Sequence, residues 1–406
     1  MAKVTVLGGC GAVGSVAVRT LAHSGVFSEV AIGDANFDKA RQMAKELGAG
    51  VTAVACDAQH PPSIKMAVAG SDVVLNCVGP FYSTVKPILA AVMEARINYV
   101  DVCDDVDVTL ELLEMDAAVK QAGIAVLLGM GSSPGMTNVV ARFAADALLD
   151  ATHSVDIFHT HGGEPTEGAG VIEHRFHCMS IPIPMYLDGE LRYVSYFEPD
   201  GIALRQTFTF PYIGETPIYP YPHPEQITLP RYLKLQRVTN KGSVLPEAYY
   251  NLTGEMVRLG MASKEPIQVR GQTVVPYDFA IAFIIRERER ILREAEFGRQ
   301  RGCVSVIVRG TKDGRPLEYR FHMASTSQAL GEGTGIPAAM GAILMQQGKV
   351  QGKGVMPPEA CLNPLEFLGM ATKLFARDAT AKGAAEEESF IIEEVDEAGR
   401  STRIKM

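Results

Sequence analysis

Short apolar runs alternate with longer amphipathic stretches through the first third of the chain. Near-continuous apolar runs predict strands at 4–7, 29–34, 51–56, 72–78 and 124–128, with a further strand end within 98–105. Strands without polar alternation are buried on both faces, so the pattern predicts a parallel sheet that helices cover on both sides. We therefore expect a doubly wound α/β domain at the start of the chain.

From about residue 152 the pattern changes to shorter segments that alternate between polar and apolar residues. Hairpins are predicted around Asp188–Gly189 and around 312–314, because each of these turns joins two such segments. The stretch 210–224, rich in Pro and Tyr, is expected to be irregular, and 279–296 to form a charged helix. The pattern thus predicts a second, α+β domain with a largely antiparallel sheet.

The last quarter of the chain begins with an apolar helix predicted at 338–347, which we expect to pack on the first domain. The end, 384–406, is acidic and then alternates around 397–399. A hairpin and a disordered tail are both compatible with that composition.

Composition limits the possible partners. The chain has 406 residues, 47% hydrophobic and 21% charged, which suits a soluble globular protein with two cores. A net charge of -9 argues against a nucleic-acid partner, and no apolar run is long enough to cross a bilayer. Seven scattered cysteines indicate buried thiols in a reducing compartment. We expect a cytoplasmic protein with a small-molecule substrate and no membrane partner.

The segment from Gly9 to Gly14 follows the first predicted strand and precedes a helix. Its spacing is that of the turn that binds a dinucleotide pyrophosphate. Gly9 is expected to let the chain turn sharply, Gly11 to admit the phosphates to the backbone, and Gly14 to let the helix pack on the strand. The predicted cofactor-binding residues of this loop are Gly9, Gly11, Ala12, Val13 and Gly14.

A carboxylate, Asp34, ends the second predicted strand 20 residues beyond Gly14. A carboxylate there can accept the hydroxyls of the adenosine ribose and would repel a 2′-phosphate. Because Ala35 and Asn36 supply no cation, the charge pattern favours NAD, while Arg41 keeps NADP open. The alternative is an ordinary solvent-facing aspartate at a strand end.

Two further strand ends are expected to line the cofactor crevice, because ligands of such sheets bind at the carboxyl ends of the strands. Asp57 and Ala58 are predicted on the adenine side, although Asp57 could instead be a helix cap. The nicotinamide side is predicted to be formed by Cys77, Val78, Gly79 and Pro80.

Several segments, in this order, are similar to those of the saccharopine dehydrogenase family. They are 9–14, 34–36, 76–81, 99–102, 133–138, 335–339 and 353–359. The resemblance implies a Rossmann domain interrupted by a substrate-binding and dimerisation domain, with a C-terminal segment that rejoins the first. It predicts a dinucleotide-binding domain at 1–130 and 331–380, a substrate domain at 131–330, and an acidic end at 381–406.

The resemblance also implies a chemistry. The saccharopine reductases, lysine 6-dehydrogenases and carboxynorspermidine dehydrogenases of this family act at an amine-bearing carbon. Family members often carry an Arg after the ribose acid, whereas this chain has Ala35, which again favours NAD. We expect a homodimeric NAD(P)-dependent oxidoreductase of amino acid or lysine metabolism, resembling lysine 6-dehydrogenase or saccharopine reductase and working through an imine. The alternative is a non-catalytic nicotinamide-binding sensor or scaffold protein with the same fold.

Such chemistry needs a base at the nitrogen and cations for substrate carboxylates. Asp104 and Asp105 follow a predicted strand beside the expected nicotinamide, so one is assigned to the base or to ammonium recognition; the alternative is a helix N-cap. His177 is the third catalytic candidate, and Arg175 and Arg231 are candidates for binding a carboxylate. For these three, the alternative is an ordinary position on a sheet face.

A group of histidines could also ligate zinc. His159 and His161 would share one face of a strand, and His174 and His177 follow after a glycine-rich loop. Because hydride transfer needs no metal ion, we predict no metal site.

Overall fold

The computed structural model describes residues 2–164, 167–325, 329–381 and 390–404. In the first part of the chain, strands alternate with helices as the apolar pattern predicts. In chain order the elements are β1 (Lys3–Leu7), α1 (Ala12–Ala22), β2 (Glu29–Asp34), α2 (Phe37–Leu47), β3 (Val51–Ala55), α3 (Pro61–Val68), β4 (Val73–Asn76), α4 (Phe81–Ala95), β5 (Asn98–Asp101), α5 (Val106–Glu114), α6 (Asp116–Ala122), β6 (Ala125–Leu127) and α7 (Met136–Phe143). Helix α7 continues into a π-helical turn, Ala144–Leu148.

Strands dominate the middle of the chain. In order, the elements are β7 (Ala151–Gly162), α8 (Ala169–Ser180), β8 (Ile183–Leu187), β9 (Glu190–Val194), α9 (Pro199–Ile202), β10 (Gln206–Phe210), β11 (Gly214–Pro220), α10 (Glu225–Tyr232), β12 (Arg237–Leu245), α11 (Glu247–Arg258), β13 (Ile267–Val269), β14 (Gln272–Val274), α12 (Pro276–Glu294), β15 (Arg301–Lys312) and β16 (Arg315–Ser325).

The remaining elements belong to the last quarter of the chain. They are α13 (Ala329–Gln346), β17 (Gly354–Met356), α14 (Pro358–Cys361), α15 (Pro364–Ala381), β18 (Phe390–Val395) and β19 (Ser401–Ile404). Of the acidic end, residues 382–389 lie outside the described residues, and β18 pairs antiparallel with β19.

Within the described ranges, seven strands form a parallel sheet in the order β17-β6-β5-β4-β1-β2-β3. Its neighbouring strands all run parallel, so the doubly wound α/β prediction is confirmed. The strand order reverses between β1 and β4, which adjoin each other although β2 and β3 lie between them in sequence. In such sheets the ligand crevice lies at this switch point, outside the carboxyl ends of the strands.

The second sheet has ten strands in the part of the chain that the structure describes. Most of its pairs are antiparallel, as predicted, with β7 and β12 as a parallel pair. The predicted hairpins are present as β8–β9 and β15–β16, and Asp188 and Asp313 adopt positive φ values of 56° and 50° at their turns.

The prediction of an irregular stretch at 210–224 is wrong. Strands β10 and β11 form an antiparallel hairpin there, with Thr207 opposite Pro217. A proline is accepted where a strand lacks a full set of ladder bonds, and β11 pairs with β12 only at Tyr219 and Pro220, so Pro217 has no β12 residue opposite it. A segment rich in Pro and Tyr can therefore still form a strand.

Helix α13 packs directly on α1. A Cβ on Gly335 would lie 2.6 Å from the carbonyl oxygen of Val13, so the glycine permits this close approach. Shortly afterwards β17 adds to the edge of the first sheet, beside β6. One apolar cluster extends from Val6 of the first sheet through Ala339 of α13 to Val306 of the second sheet. The two sheets therefore share a core.

None of the described helices is long and apolar enough to span a membrane.

Candidate active site

The loop between β1 and α1 is tightly packed on one side and open on the other. A positive φ of 73° falls on Gly8, so the sharp turn expected at Gly9 occurs one residue earlier. A Cβ on Gly14 would lie 2.1 Å from the Gly8 carbonyl oxygen, which explains why α1 needs a glycine there. At Gly11 the nearest atom to a Cβ would be at 3.3 Å. The open side, at the N-terminus of α1, fits a dinucleotide pyrophosphate.

Asp34 lies beside this loop, at the end of β2. Its Oδ2 accepts a hydrogen bond from the Cys10 N–H and its Oδ1 accepts one from the Asn36 N–H, both at 2.9 Å. On the other side of the same peptide segment, Lys39 Nζ donates to the Cys10 carbonyl oxygen at 2.9 Å. The structure thus adds a cation to the predicted ribose site, one that the sequence interpretation did not include.

The end of β4 lies against the glycine loop. The Cys77 N–H donates to the Leu7 carbonyl oxygen at 2.9 Å, and a Cβ on Gly8 would lie 2.9 Å from the Cys77 carbonyl oxygen. Val78, Gly79 and Pro80 follow directly, and Ala12 and Val13 form the first turn of α1. This places the predicted nicotinamide segment at the switch point between β1 and β4.

Asp57 follows the end of β3, as predicted, with the half-buried Ala58 next to it. The Asp57 Oδ1 accepts the Gln59 N–H at 2.9 Å, and the Asp57 N–H donates to Ser63 Oγ at 3.0 Å. The N-cap of α3 is His60, so Asp57 closes the turn before the helix and does not cap it.

Beyond the end of β5, Asp104 and Asp105 flank the imidazole of His174 from α8. Asp105 Oδ1 lies 3.0 Å from His174 Nδ1, and Asp104 Oδ2 lies 3.5 Å from His174 Nε2. The Asp105 side chain is 1% exposed and that of Asp104 is 27% exposed. We refer to Asp104, Asp105 and His174 as the acid–histidine cluster.

Asp105 occupies the N-cap position of α5 but makes no side-chain capping bond. Its Oδ2 instead accepts the N–H of Tyr82 from α4 at 2.9 Å. The carboxylate therefore connects α4 with α8, which is not what the helix-cap alternative predicts.

The two carboxylates control the proton of His174. Burial alone would lower the pKa of His174, but the negative charge of Asp104 and the hydrogen bonding of Asp105 raise it well above its usual value. Cys178 Sγ lies 3.3 Å from His174 Nε2, and burial raises the pKa of this thiol. The cluster thus holds a protonated imidazole beside a neutral thiol. In the part of the chain that the structure describes, Asp104 Oδ1 is buried and has no hydrogen-bond partner, and so can receive a donor from a ligand.

His177, on the same helix, faces different partners. Its Nε2 lies 3.1 Å from Asp107 Oδ2, and its ring centroid lies 5.0 Å from that of Tyr82. The hydrogen bond from His177 lowers the pKa of Asp107. His177 is therefore a neighbour of the cluster, connected to it through Tyr82.

Among the described residues, the side-chain partners of the two predicted arginines lie outside the acid–histidine cluster. Arg175 is 2% exposed; it donates to Glu167 at 2.5 Å and lies over the Tyr249 ring. Glu167 also accepts from Arg288 at 2.9 Å, which makes this an internal ion network. Arg231 is exposed on α10 and donates its Nε–H to the Ile227 carbonyl oxygen. The guanidinium of Arg175 is therefore already paired with Glu167, and this geometry does not support its predicted role in binding a substrate carboxylate.

A second buried polar group, which sequence reasoning missed, is linked to the cluster by Tyr221, whose ring centroid lies 6.4 Å from that of His174 and 5.4 Å from that of His223. Glu225 is 0% exposed, and its Oε1 accepts from Ser133 Oγ at 2.6 Å and from Thr137 Oγ1 at 2.7 Å. Its Oε2 lies 3.3 Å from His223 Nδ1. The His223 ring in turn lies 5.3 Å from the His159 ring, centroid to centroid, with the two planes tilted by 40°. Ser133 and Thr137 lie in a segment that the family resemblance had identified, but nothing in the sequence connected that segment with Glu225.

The predicted histidine group is divided among separate partners. His161 Nδ1 lies 2.8 Å from Glu164, while His174 and His177 face the carboxylates described above. Among the described residues, ligand-type atoms of Asp104, Asp105 and His174 lie within 4.8 Å of one another, as do those of Asp105, Asp107 and His177. Both ring nitrogens of His174 face carboxylates, an arrangement that suits an imidazolium.

Comparisons of sequence relate this chain to known proteins. Residues 4–127 match the family model described as saccharopine dehydrogenase NADP binding domain. Over 396 residues the chain is 26% identical to carboxyaminopropylagmatine dehydrogenase of Synechocystis, covering 91% of this chain and 96% of that protein. It is 25% identical to carboxynorspermidine synthase of Vibrio cholerae, covering 73% of this chain and 74% of that protein.

Comparisons of structure support the fold. Apo saccharopine dehydrogenase (L-Glu forming) from Saccharomyces cerevisiae matches with a TM-score of 0.64 at 14% identity, covering 99% of this chain and 100% of the other. Homospermidine synthase from Legionella pneumophila, solved in complex with NAD, matches with a TM-score of 0.57 at 12% identity, covering 91% and 89%. The resemblance to the saccharopine dehydrogenase family and the predicted fold are confirmed.

Proposed function

We propose that this NAD(P)-dependent dehydrogenase transfers a hydride at the amine-bearing carbon of a carboxylated cationic amine, with His174 moving the proton at nitrogen. The observation that carries the proposal is the imidazole held between Asp104 and Asp105 beyond the end of β5. Two relatives are named for carboxyaminopropylagmatine and carboxynorspermidine, and both names describe an amine that carries a carboxyl group. This supports a substrate with a secondary amine or imine nitrogen.

The residues around the glycine loop fit a nicotinamide dinucleotide. The backbone of the loop is open at Gly11, and Asp34 offers a carboxylate at the adenosine end. The segment 77–80 adjoins the loop at the switch point of the sheet. When bound, the cofactor supplies or accepts the hydride.

Conversion between an amine and an imine also moves a proton at nitrogen. His174 carries that proton because its carboxylate neighbours raise its pKa. We assign His174 to donate the proton to the substrate nitrogen when the imine is reduced and to accept it when the amine is oxidised. Cys178, whose pKa burial raises, stays a neutral thiol and does not compete for this role.

The two aspartates have different roles in the proposal. Asp104 is partly exposed and has an unpartnered Oδ1, so it is placed to bind the substrate ammonium. Asp105 is buried and holds both His174 and the Tyr82 N–H, and so acts as a positioning residue. A pair of carboxylates at this point also favours a cationic substrate over an anionic one.

We also propose the domain division predicted from the sequence, with 1–130 and 331–380 forming the dinucleotide-binding domain and 131–330 the substrate domain. The addition of β17 to the first sheet supports the return of 331–380 to the first domain. The acidic end, 381–406, is the third segment of the division, and its strand β18 pairs with β16 of the second sheet. A homodimer in the cytoplasm is part of the same proposal and rests on the family resemblance. Sedimentation equilibrium of the purified protein tests the dimer.

Turnover of an amine panel tests the function. The purified chain is incubated with NAD or NADP and with carboxyaminopropylagmatine, carboxynorspermidine, saccharopine or lysine, and the absorbance of the reduced nicotinamide is followed. We expect reduction of the cofactor with a carboxylated amine. Binding of the dinucleotide without turnover on any amine would support the sensor or scaffold alternative.

A further inference from the structure

The backbone of Cys10 is held from both sides by groups of opposite charge. Its N–H donates to Asp34 Oδ2, and its carbonyl oxygen accepts from Lys39 Nζ, each at 2.9 Å. A carboxylate and an ammonium are therefore both hydrogen-bonded to the backbone of one residue of the glycine loop, at the adenosine end of the predicted cofactor site. The sequence offered Arg41 as the cation that keeps NADP open, whereas in the structure it is Lys39 that contacts this loop.

The position of Lys39 follows from the capping of α2. Asn36 is the N-cap, and its side chain accepts the Lys39 N–H at 3.0 Å. This bond fixes the first turn of α2 directly after Asp34, so the Lys39 side chain leaves the helix on the side of the loop. A helix N-terminus with a lysine in its first turn favours a bound anion on two counts, the helix dipole and the ammonium charge.

The other cation of α2 faces a different partner. Arg41 donates to Asp38 at 2.9 Å and lies over the Phe37 ring at 5.4 Å, and its side chain is 64% exposed. Asp38 thus offsets the charge of Arg41 on the solvent side of the helix. Of these two cations, Lys39 is the one that contacts the loop.

We infer that Lys39 is the residue that admits a 2′-phosphate beside Asp34, so that the adenosine ribose site accepts NADP as well as NAD. The inference rests on the nicotinamide site of the proposed function. Asp34 alone would repel a phosphate group, which carries about two negative charges at neutral pH. Both Asp34 oxygens already accept backbone N–H groups, and the adjacent ammonium offsets the remaining charge. The site therefore combines a carboxylate that accepts hydrogen bonds from the ribose hydroxyls with an ammonium that donates hydrogen bonds to the 2′-phosphate.

Calorimetry with fragments of the cofactor tests this inference without any turnover. The probes are 5′-AMP and adenosine 2′,5′-bisphosphate, which differ by the 2′-phosphate. The proteins are the wild type, Lys39→Ala, Lys39→Arg and the matched control Arg41→Ala. We expect Lys39→Ala to weaken the bisphosphate by about tenfold, the loss of one charge-assisted contact, and to leave 5′-AMP within about twofold. Lys39→Arg should retain most of the bisphosphate affinity, and Arg41→Ala should behave as the wild type.

Several results would overturn the inference. One is equal weakening of both probes by Lys39→Ala, and another is loss of bisphosphate selectivity in Arg41→Ala. Binding of 5′-AMP but not of the bisphosphate to the wild type would overturn the role of Lys39 and leave the proposed function intact. If the folded wild type binds neither probe nor NAD, both the inference and the proposed cofactor site fail. Thermal melting of each variant confirms that its fold is retained.

Discussion

Asp105 stands at the N-cap position of α5, yet its carboxylate faces His174 at 3.0 Å and makes no bond to its own helix. A cap of this type usually stabilises a helix by about 1 kcal/mol, so α5 forgoes that contribution. The carboxylate is used to hold a histidine of another element.

Replacing His174 with Gln should lower kcat for the carboxylated amine by about a hundredfold or more, because the proton at nitrogen then lacks its carrier. His177→Gln distinguishes the two histidines of α8 and should have a smaller effect on kcat. His153→Gln, at an exposed position, is the matched control and should leave kcat unchanged. Equal losses in the His174 and His177 variants would contradict the assignment. Steady-state kinetics with saturating cofactor provide the measurement.

Asp105→Asn should change the pH dependence of imine reduction. Reduction needs protonated His174, so kcat/KM falls as the pH rises through the pKa of that residue. The side-chain hydrogen bond of Asp105 helps to raise this pKa, so Asp105→Asn should move the fall to lower pH. Asp107→Asn is the control, because Asp107 pairs with His177. If the fall of kcat/KM at high pH stays at the same pH in Asp105→Asn, Asp105 has no part in the proton transfer.

Asp34→Ala should move the cofactor preference toward NADP. The variant loses the acceptor for the ribose hydroxyls and the charge that opposes a 2′-phosphate, while Lys39 remains. We expect the ratio of kcat/KM for NAD to that for NADP to fall by about tenfold. An unchanged ratio would mean that Asp34 does not reach the ribose.

Glu359→Gln should stabilise the protein at neutral and alkaline pH. Burial raises the pKa of Glu359 to about 7, and the residue is 2% exposed with Oε2 accepting from Asn138 at 2.8 Å. Because the pKa of Glu359 is raised in the folded protein, the contribution of this group to the free energy of unfolding is fully present below about pH 4.5. That contribution is lost as the pH rises through 7. The variant should therefore gain on the wild type across this window, up to about 3 kcal/mol. Urea unfolding at pH 5 and pH 8 measures the difference, and equal gains at both would contradict the role of ionisation.

Gly335→Ala should destabilise the contact between α13 and α1. The added Cβ would lie 2.6 Å from the Val13 carbonyl oxygen, so the helices must separate, at a cost of about 1 to 3 kcal/mol. Gly369, in α15, has no atom within 4 Å of an added Cβ. Gly369→Ala is therefore the matched control and should stabilise by up to about 1 kcal/mol. Thermal unfolding of the two variants should give shifts of opposite sign.

The sequence was informative wherever a local pattern decides the structure. Apolar runs located the strands of the first sheet, and the spacing of Gly9, Gly11 and Gly14 located the loop at its switch point. Asp34 lies beside the loop because a fixed length of helix and strand returns the chain there. In these cases the residues that meet in space are brought together by a single strand–helix–strand unit, whose pattern can be read from the local sequence.

The acid–histidine cluster could be predicted only in part. Asp104 and Asp105 follow from their place after a strand, but the choice of His174 over His177 depends on which face of α8 meets the first domain. The orientation of α8 is set by tertiary packing between segments that lie about 70 residues apart in the sequence. The contact of Glu225 with Ser133 spans 92 positions and has no local signature.

Lys39 was missed for a different reason. The residues next to Asp34 in sequence carry no positive charge, whereas a side chain in the first turn of a helix reaches back over the preceding loop. A helix started by Asn36 presents its third residue, and not its fifth, to the loop.

The return of the chain to its first sheet has a consequence for synthesis on the ribosome. Strand β17 pairs with β6, and α13 covers α1, yet both are made long after the strands they join. While the middle of the chain emerges, the apolar surface of α1 around Val13 and Val16 has no partner from α13. We expect a nascent chain that ends before α13 to expose this surface and to bind chaperones, with release when residues 329–356 leave the exit tunnel.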